Sequence, residues 1–367
     1  MATLPGHELH CALGARFTSV NGAEAVADYG DAAAERRALT ETAGVLDLSF
    51  RGRLCLTGAD RVRFLHGQVT NDIKALRAGE GCYAALVTAK GRMESDLNIY
   101  NLPEELLLDF EPGLGEAVSQ RLQKFIVADD VQVVDVASNY GLLSVQGPAA
   151  AAALRTLGLF NPLPAKPYNV ARVVDATLGE LYLANQPRLG ASGFDVFTPR
   201  AALDAMAHQL IAAARAAGGR ACGWDAFEAA RIEAGIPRFG VDMDQTHLPQ
   251  EARIETRAVS YTKGCYVGQE VLNRLHTLGH VNRELRGLRL DAEVKALPAK
   301  GDQLFQQDKE VGYITSAAVS PLRGATFALG YVRKEADRLG TRLVVRSAAG
   351  DLPATVASIP FSKAGGS

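Results

Sequence analysis

The segment Lys263-Gly-Cys-Tyr-Val-Gly-Gln-Glu270 gathers a thiol, an ammonium and two glycines just ahead of Gln269–Leu275, a stretch that reads as a helix. A cysteine in that setting faces the positive end of the helix dipole and a nearby cation. Both favour the thiolate, the form that attacks electrophiles and binds metals. Gly264 and Gly268 permit backbone angles that other residues resist and let a ligand come close. Cys265 and Lys263 are therefore the candidate reactive pair, framed by Gly264, Tyr266, Gly268, Gln269 and Glu270. The plain alternative is a cysteine packed into a tight loop-to-helix turn, since free cysteines are usually buried.

Other chemistry is thin. His276 and His280 are four residues apart, but Gly279 between them weakens the helix that would align them. No third ligand has a recognisable spacing, so no metal site is expected. Gly113-Leu-Gly115 lacks the third glycine and the preceding strand of a dinucleotide fingerprint. No Walker A sequence and no Gly-x-Ser-x-Gly turn occur. Hydrolase, nucleotidase and oxidoreductase readings have little to rest on.

The elements that must hold these residues come next. A chain of 367 residues is long enough for two or three cores. Its net charge of −2 supplies no general attraction to nucleic acid or to an anionic membrane. No run approaches 18 apolar residues, and residues 1–14 lack a basic stretch followed by an apolar run, so no signal peptide is expected. Five scattered cysteines without a Cys-x-x-Cys pair suit neither a disulfide framework nor structural zinc, and point to a reducing cytoplasm.

Residues 10–27 read as a hairpin turning at Asn21-Gly22, and Asp31 as the cap of a helix that stops before Gly44. Strands are expected at Arg53–Thr57, Tyr83–Thr88, Asp96–Tyr100 and Glu105–Phe110, and helices at Asp60–Leu65 and Leu114–Phe125. A faint repeat follows. The strand–Gly–helix unit beginning at Arg53 is echoed at Leu142, and the hairpin of residues 83–110 near residues 171–198. Helices occupy 201–217 and 224–234. From residue 285 short strands return, divided by Gly301, Gly312, Gly324 and Gly340, which predicts a separate small barrel or sandwich.

The signature around Cys265 resembles that of the YgfZ family, folate-binding proteins linked to iron–sulfur cluster assembly and repair. More broadly, nearly the whole chain is similar to the T-protein, the aminomethyltransferase of the glycine cleavage system. Supporting stretches are Phe64–Ile73, Ser144–Pro148, Gly190–Asp195, Arg231–Ile236 and Ala328–Val332. The resemblance implies an α+β fold: a three-domain ring of two related α+β domains (1–138 and 139–280, intertwined) and a C-terminal β-barrel (281–367), with tetrahydrofolate at the centre.

It also implies folate contacts at Asp96, Asp195, Arg231 and Arg188. Asp96 lies where T-proteins tend to carry two adjacent acids, and Asp195 is one methylene shorter than the usual glutamate. Arg188 stands where those proteins often place a tyrosine. Without the resemblance, Asp96 reads as a turn residue and Arg231 as a helix charge paired with Glu228 or Glu233.

Two functions follow. One is a tetrahydrofolate-binding accessory factor acting through Cys265 on iron–sulfur client or assembly proteins. The other is a tetrahydrofolate-dependent aminomethyl or methyl transferase that needs a carboxylate and no cysteine. A folate-binding scaffold without chemistry of its own is the blander third.

Overall fold

The computed structural model describes residues 3–290, 294, 296–320 and 323–361. The chain divides into two compact units. The first comprises residues 1–86, 95–227 and 262–266, and the second 87–94, 228–261 and 267–367.

The first unit is built on two sheets that repeat one plan. The five-stranded sheet runs in the order Glu80–Val87, Met93–Asn101, Leu106–Phe110, Gly52–Thr57, Gln132–Asp135. The six-stranded sheet runs Val170–Asp175, Gly179–Asn185, Gly193–Pro199, Tyr140–Gln146, Gly44–Asp47, Arg220–Ala221. In each, a three-strand meander lies beside the strand that opens the repeat. That strand ends in a glycine with positive φ, Gly58 at 97° and Gly147 at 120°, and a helix follows.

The helices bury matching faces. Phe64 and Leu65 of Arg61–Gln68 and Val118 and Leu122 of Gly115–Gln123 pack with Leu54, Leu86, Ile99 and Leu108. Leu154 of Ala150–Thr156 and Met206 and Leu210 of Leu203–Ala216 pack with Val45, Val145, Leu181 and Val196. The faint sequence repeat is therefore a repeat of architecture. Gly44–Asp47, from the first half of the chain, pairs with Tyr140–Gln146 in the second sheet.

Local chemistry explains most ends. Asp31 caps the helix Ala32–Glu41 by accepting from the Ala34 N–H at 2.9 Å. Asn21 and Gly22, with φ of 49° and 83°, join Arg16–Val20 to Ala23–Asp28 as a primed turn requires. One expectation fails here: His10 and Cys11, read as strand, lie in a short helix, His7–Ala12, ahead of the hairpin.

The second unit contains a closed barrel in the order Arg283–Leu290, Ala325–Arg333, Lys309–Ser320, Gln303–Gln306, Arg342–Ser347, Gly350–Ala357. Leu288, Leu304, Ile314, Val332 and Val345 fill it. The last strand went unread in the sequence, and Gly312 is not a divider. Gly312 lies within a strand, where a Cβ would meet the Tyr331 carbonyl oxygen at 1.9 Å, so its small size permits close strand contact. Among the described residues no helix is long and apolar enough to cross a membrane.

Gly268 precedes the helix Gln269–Leu278 with φ at 83°, and a Cβ there would sit 2.6 Å from the Thr88 carbonyl oxygen. Gly268→Ala is expected to lower unfolding stability by roughly 2–3 kcal/mol, read by urea titration, because strain and a backbone clash add.

Candidate functional site

Asp96 lies on the strand Met93–Asn101, next to the strand Glu80–Val87. The Tyr83 hydroxyl donates to Asp96 Oδ2 at 2.8 Å, while Asp96 Oδ1 is buried with no hydrogen-bond partner among the described residues. Burial first, then the neighbouring Glu111 charge, raises this carboxyl to about 6, against the opposing pull of the Tyr83 bond and Arg51. A half-paired carboxyl that titrates near neutrality can hold a donor or move a proton.

Beneath it runs a charged network joining the two sheets. Arg51 donates to Asp109 Oδ1 at 2.7 Å and to Glu111 Oε1 at 2.6 Å. Asp109 Oδ2 accepts from Asn98 at 2.8 Å and from Arg188 at 2.8 Å. Arg188 also grips Asp195 in a fork, Nε to Oδ2 at 3.0 Å and Nη2 to Oδ2 at 2.6 Å, with Nε reaching Oδ1 at 3.2 Å. The Ser144 hydroxyl adds a bond to Asp195 Oδ1 at 2.7 Å. Although burial opposes its ionisation, Arg51 and Arg188 hold the Asp109 carboxyl far below the usual range.

The resemblance implied folate contacts for Asp195 and Arg188. In this structure they bind each other. Asp195 is fully buried with both oxygens engaged, and the Arg188 side chain is buried across the sheet-to-sheet junction. Arg51, Asn98, Asp109 and Gln186 escaped the sequence reading. The available signal was a lone acid in the apolar run Leu106-Leu-Leu-Asp-Phe110.

Arg231 is equally engaged. Its guanidinium donates to Asp242, to Glu228 Oε2 at 3.0 Å and to the Ile236 carbonyl at 3.3 Å. Asp242 in turn accepts from Thr315 at 2.6 Å and Ser316 at 2.7 Å on a barrel strand. Arg231 thus ties its helix to the barrel through Asp242. Of the two partners the residue pattern suggested, Glu228 is the one it takes.

The Lys263 ammonium is buried and donates to three carbonyls, those of His66, Val69 at 2.8 Å and Asn71 at 2.7 Å, while lying 4.8 Å over the Tyr266 ring. Burial pulls its pKa down to about 8, which leaves it charged at neutral pH. It pins residues 262–266 to the end of the helix Arg61–Gln68 and the loop after it. Tyr266 is buried, whereas Gly264 and Cys265 are exposed. Gln269 and Glu270 open the helix that follows Gly268.

His66 sits beneath the loop, with Nε2 3.9 Å from where a Gly264 Cβ would be. His276 stacks on Tyr261 with centroids 3.8 Å apart. Among the described residues no cluster of three His, Cys, Asp or Glu side chains could hold a metal.

Paired α+β sheets followed by a closed six-stranded barrel define the fold of the T-protein class. Residues 6–263 match the GCVT N-terminal domain and residues 283–363 the glycine cleavage T-protein C-terminal barrel domain. The chain belongs to the glycine cleavage T-protein family. It is 27% identical over 359 residues to the aminomethyltransferase of Shouchella clausii, covering 98% of this chain and 97% of that one. It is 29% identical over 360 residues to that of Saccharopolyspora erythraea, covering 97% of each. Its fold matches the glycine cleavage system aminomethyltransferase T of Bartonella henselae, with a TM-score of 0.87, 24% identity and 98% of each chain covered.

Lys263→Met should cost about 3 kcal/mol of stability, because three buried carbonyls lose their donor. Cys265→Ser should cost less than about 0.5 kcal/mol, as an exposed substitution does. Arg188→Met should be more severe, about 3–5 kcal/mol, because buried Asp195 loses its ion-pair partner and Asp109 one of its two. Parallel urea titrations of the three variants would check this order.

Proposed function

We propose that this chain binds tetrahydrofolate and carries out one-carbon transfer of the aminomethyltransferase type, with Asp96 as the working carboxyl. The observation that carries the reading is the state of Asp96: one oxygen fixed by Tyr83, the other buried and open, and a pKa raised to about 6. The full-length likeness to chains named aminomethyltransferase supports it.

An unpaired carboxylate oxygen fits the ring N–H and amino donors of a pterin, and forms strong bonds when charged. Tetrahydrofolate, when bound, supplies a nucleophilic nitrogen that takes up the one-carbon unit. Asp96 orients that ligand and, with a pKa near the working pH, accepts or returns the proton that the transfer displaces. Tyr83 holds the carboxyl in one orientation. Asp195, Arg188 and Arg231 brace the surrounding structure in this reading, since their charges are engaged within the protein.

A second reading rests on a different observation. Cys265 is exposed on a loop pinned by Lys263, and residues 264–282 lie between the two segments that match the T-protein family. The exposed thiol fits an added role of the kind the YgfZ signature implies, in which it serves iron–sulfur client or assembly proteins while folate binds elsewhere. Five free cysteines suit a reducing compartment such as the cytoplasm.

Two variants separate the readings. Asp96→Asn should lower methylene-tetrahydrofolate formation from an aminomethyl donor by about 100-fold or more at saturating folate, as loss of a general acid–base group does, and weaken folate binding as well. Cys265→Ala should leave that turnover intact. Turnover that survives Asp96→Asn overturns the first reading. Loss of iron–sulfur enzyme activity in cells carrying only Cys265→Ala, with Asp96→Asn cells unaffected, establishes the second.

Stability gives an independent check. The folded chain keeps the Asp96 proton to about pH 6, whereas the unfolded chain loses it near 3.8. Stability therefore falls as pH rises between those values. Asp96→Asn should remove that fall and raise stability at pH 7 by up to ~3 kcal/mol.

A further inference from the structure

Outside this site, three side chains of the N-terminal segment form an arrangement known from nucleophilic chemistry. The helix His7–Ala12 places His7 and Cys11 four residues apart, hence on one face. Cys11 Sγ lies 3.3 Å from His7 Nε2, and the thiol is exposed. His7 Nδ1 lies 2.8 Å from Glu24 Oε2, on the strand Ala23–Asp28.

A carboxylate only accepts, so the neutral imidazole that satisfies Glu24 is the one with its proton on Nδ1, and in that tautomer Nε2 presents its lone pair to the sulfur. The ring is held from a third side by Phe17, stacked with centroids 4.5 Å apart and planes 22° from parallel. Glu24 is itself fixed by the Leu4 N–H at 2.9 Å. Nucleophile, base and orienting acid are each within bonding reach of the next.

The other four cysteines lack this combination. Cys55 and Cys222 are buried, which pushes their thiols far up, and burial pushes Cys82 up to about 12. Cys265 is exposed, but among the described residues no base is hydrogen-bonded to it.

We propose that Cys11 is a modification site that exchanges with low-molecular-weight disulfides, with His7 as its base and Glu24 as the acid that orients the base. In the step, the Cys11 proton passes to His7 Nε2 while Sγ attacks one sulfur of the disulfide. The Cys11–S bond forms as the disulfide S–S bond breaks. The released thiolate then takes the proton from the His7 imidazolium and leaves as a thiol. The disulfide is the oxidant: one of its sulfurs is reduced, and Cys11 ends as a mixed disulfide. Glu24 stays ionised throughout and stabilises the transient imidazolium. This inference does not rest on the folate reading.

The test uses the full chain with glutathione disulfide as the probe, and mass spectrometry of each cysteine-bearing peptide over time. Cys11 should acquire glutathione about 10-fold faster than Cys265, with Cys55, Cys82 and Cys222 slower still. His7→Ala should bring the Cys11 rate down to that of Cys265 and leave Cys265 itself unchanged, which also reports that the fold is intact. Glu24→Gln, which keeps an acceptor for Nδ1–H but removes the charge, should give an intermediate rate. Cys11 exchanging no faster than Cys265, or a Cys11 rate indifferent to His7→Ala, overturns the proposal.

Discussion

Two arginines buried between two sheets set the terms for the first unit. Arg51 and Arg188 converge on Asp109, and Arg188 extends to Asp195 on the opposite sheet. Burying ions is expensive unless each is paired and its remaining donors and acceptors are satisfied. Here Ser144, Asn98, Gln146 and Gln186 supply the further hydrogen bonds. The apolar clusters would tolerate some sliding of one repeat against the other. A bidentate guanidinium bound to carboxylates from both sheets does not, so the network fixes how the repeats meet.

That constraint shapes the chemistry nearby. Asp109 is held ionised by two cations, whereas burial and then the Glu111 charge raise Asp96 to about 6. Carboxylates in similar strands thus diverge through their surroundings: one is locked as a structural anion, the other poised to hold or pass a proton. The same division recurs in the second unit, where Asp242 joins Arg231 to the barrel strand through Thr315 and Ser316. Lys263 likewise anchors a loop to carbonyls and leaves the thiol two residues later facing solvent.

Much of the architecture was legible because it follows local rules. Asn21-Gly22 specifies its turn, Asp31 its helix start, and the recurrence of strand, glycine and helix at Arg53 and Leu142 announces the repeat. The misses share one cause. His10 looks like a strand residue until its imidazole is seen bonded to Asp47 and Tyr29. Gly312 looks like a turn until the Tyr331 backbone is seen against it. In each case the deciding neighbour is far away in sequence, where periodicity and propensity carry no information.

Residue types and their order were enough to determine the T-protein family, the paired α+β repeat and the C-terminal barrel. Those properties depend on hydrophobic spacing, caps and turns, which act within a few residues. Tertiary structure alone decided which charges remain free to act. An ion's behaviour depends on what desolvates and pairs it, and Asp109, Ser144 and Glu24 reach their partners only once the chain has folded.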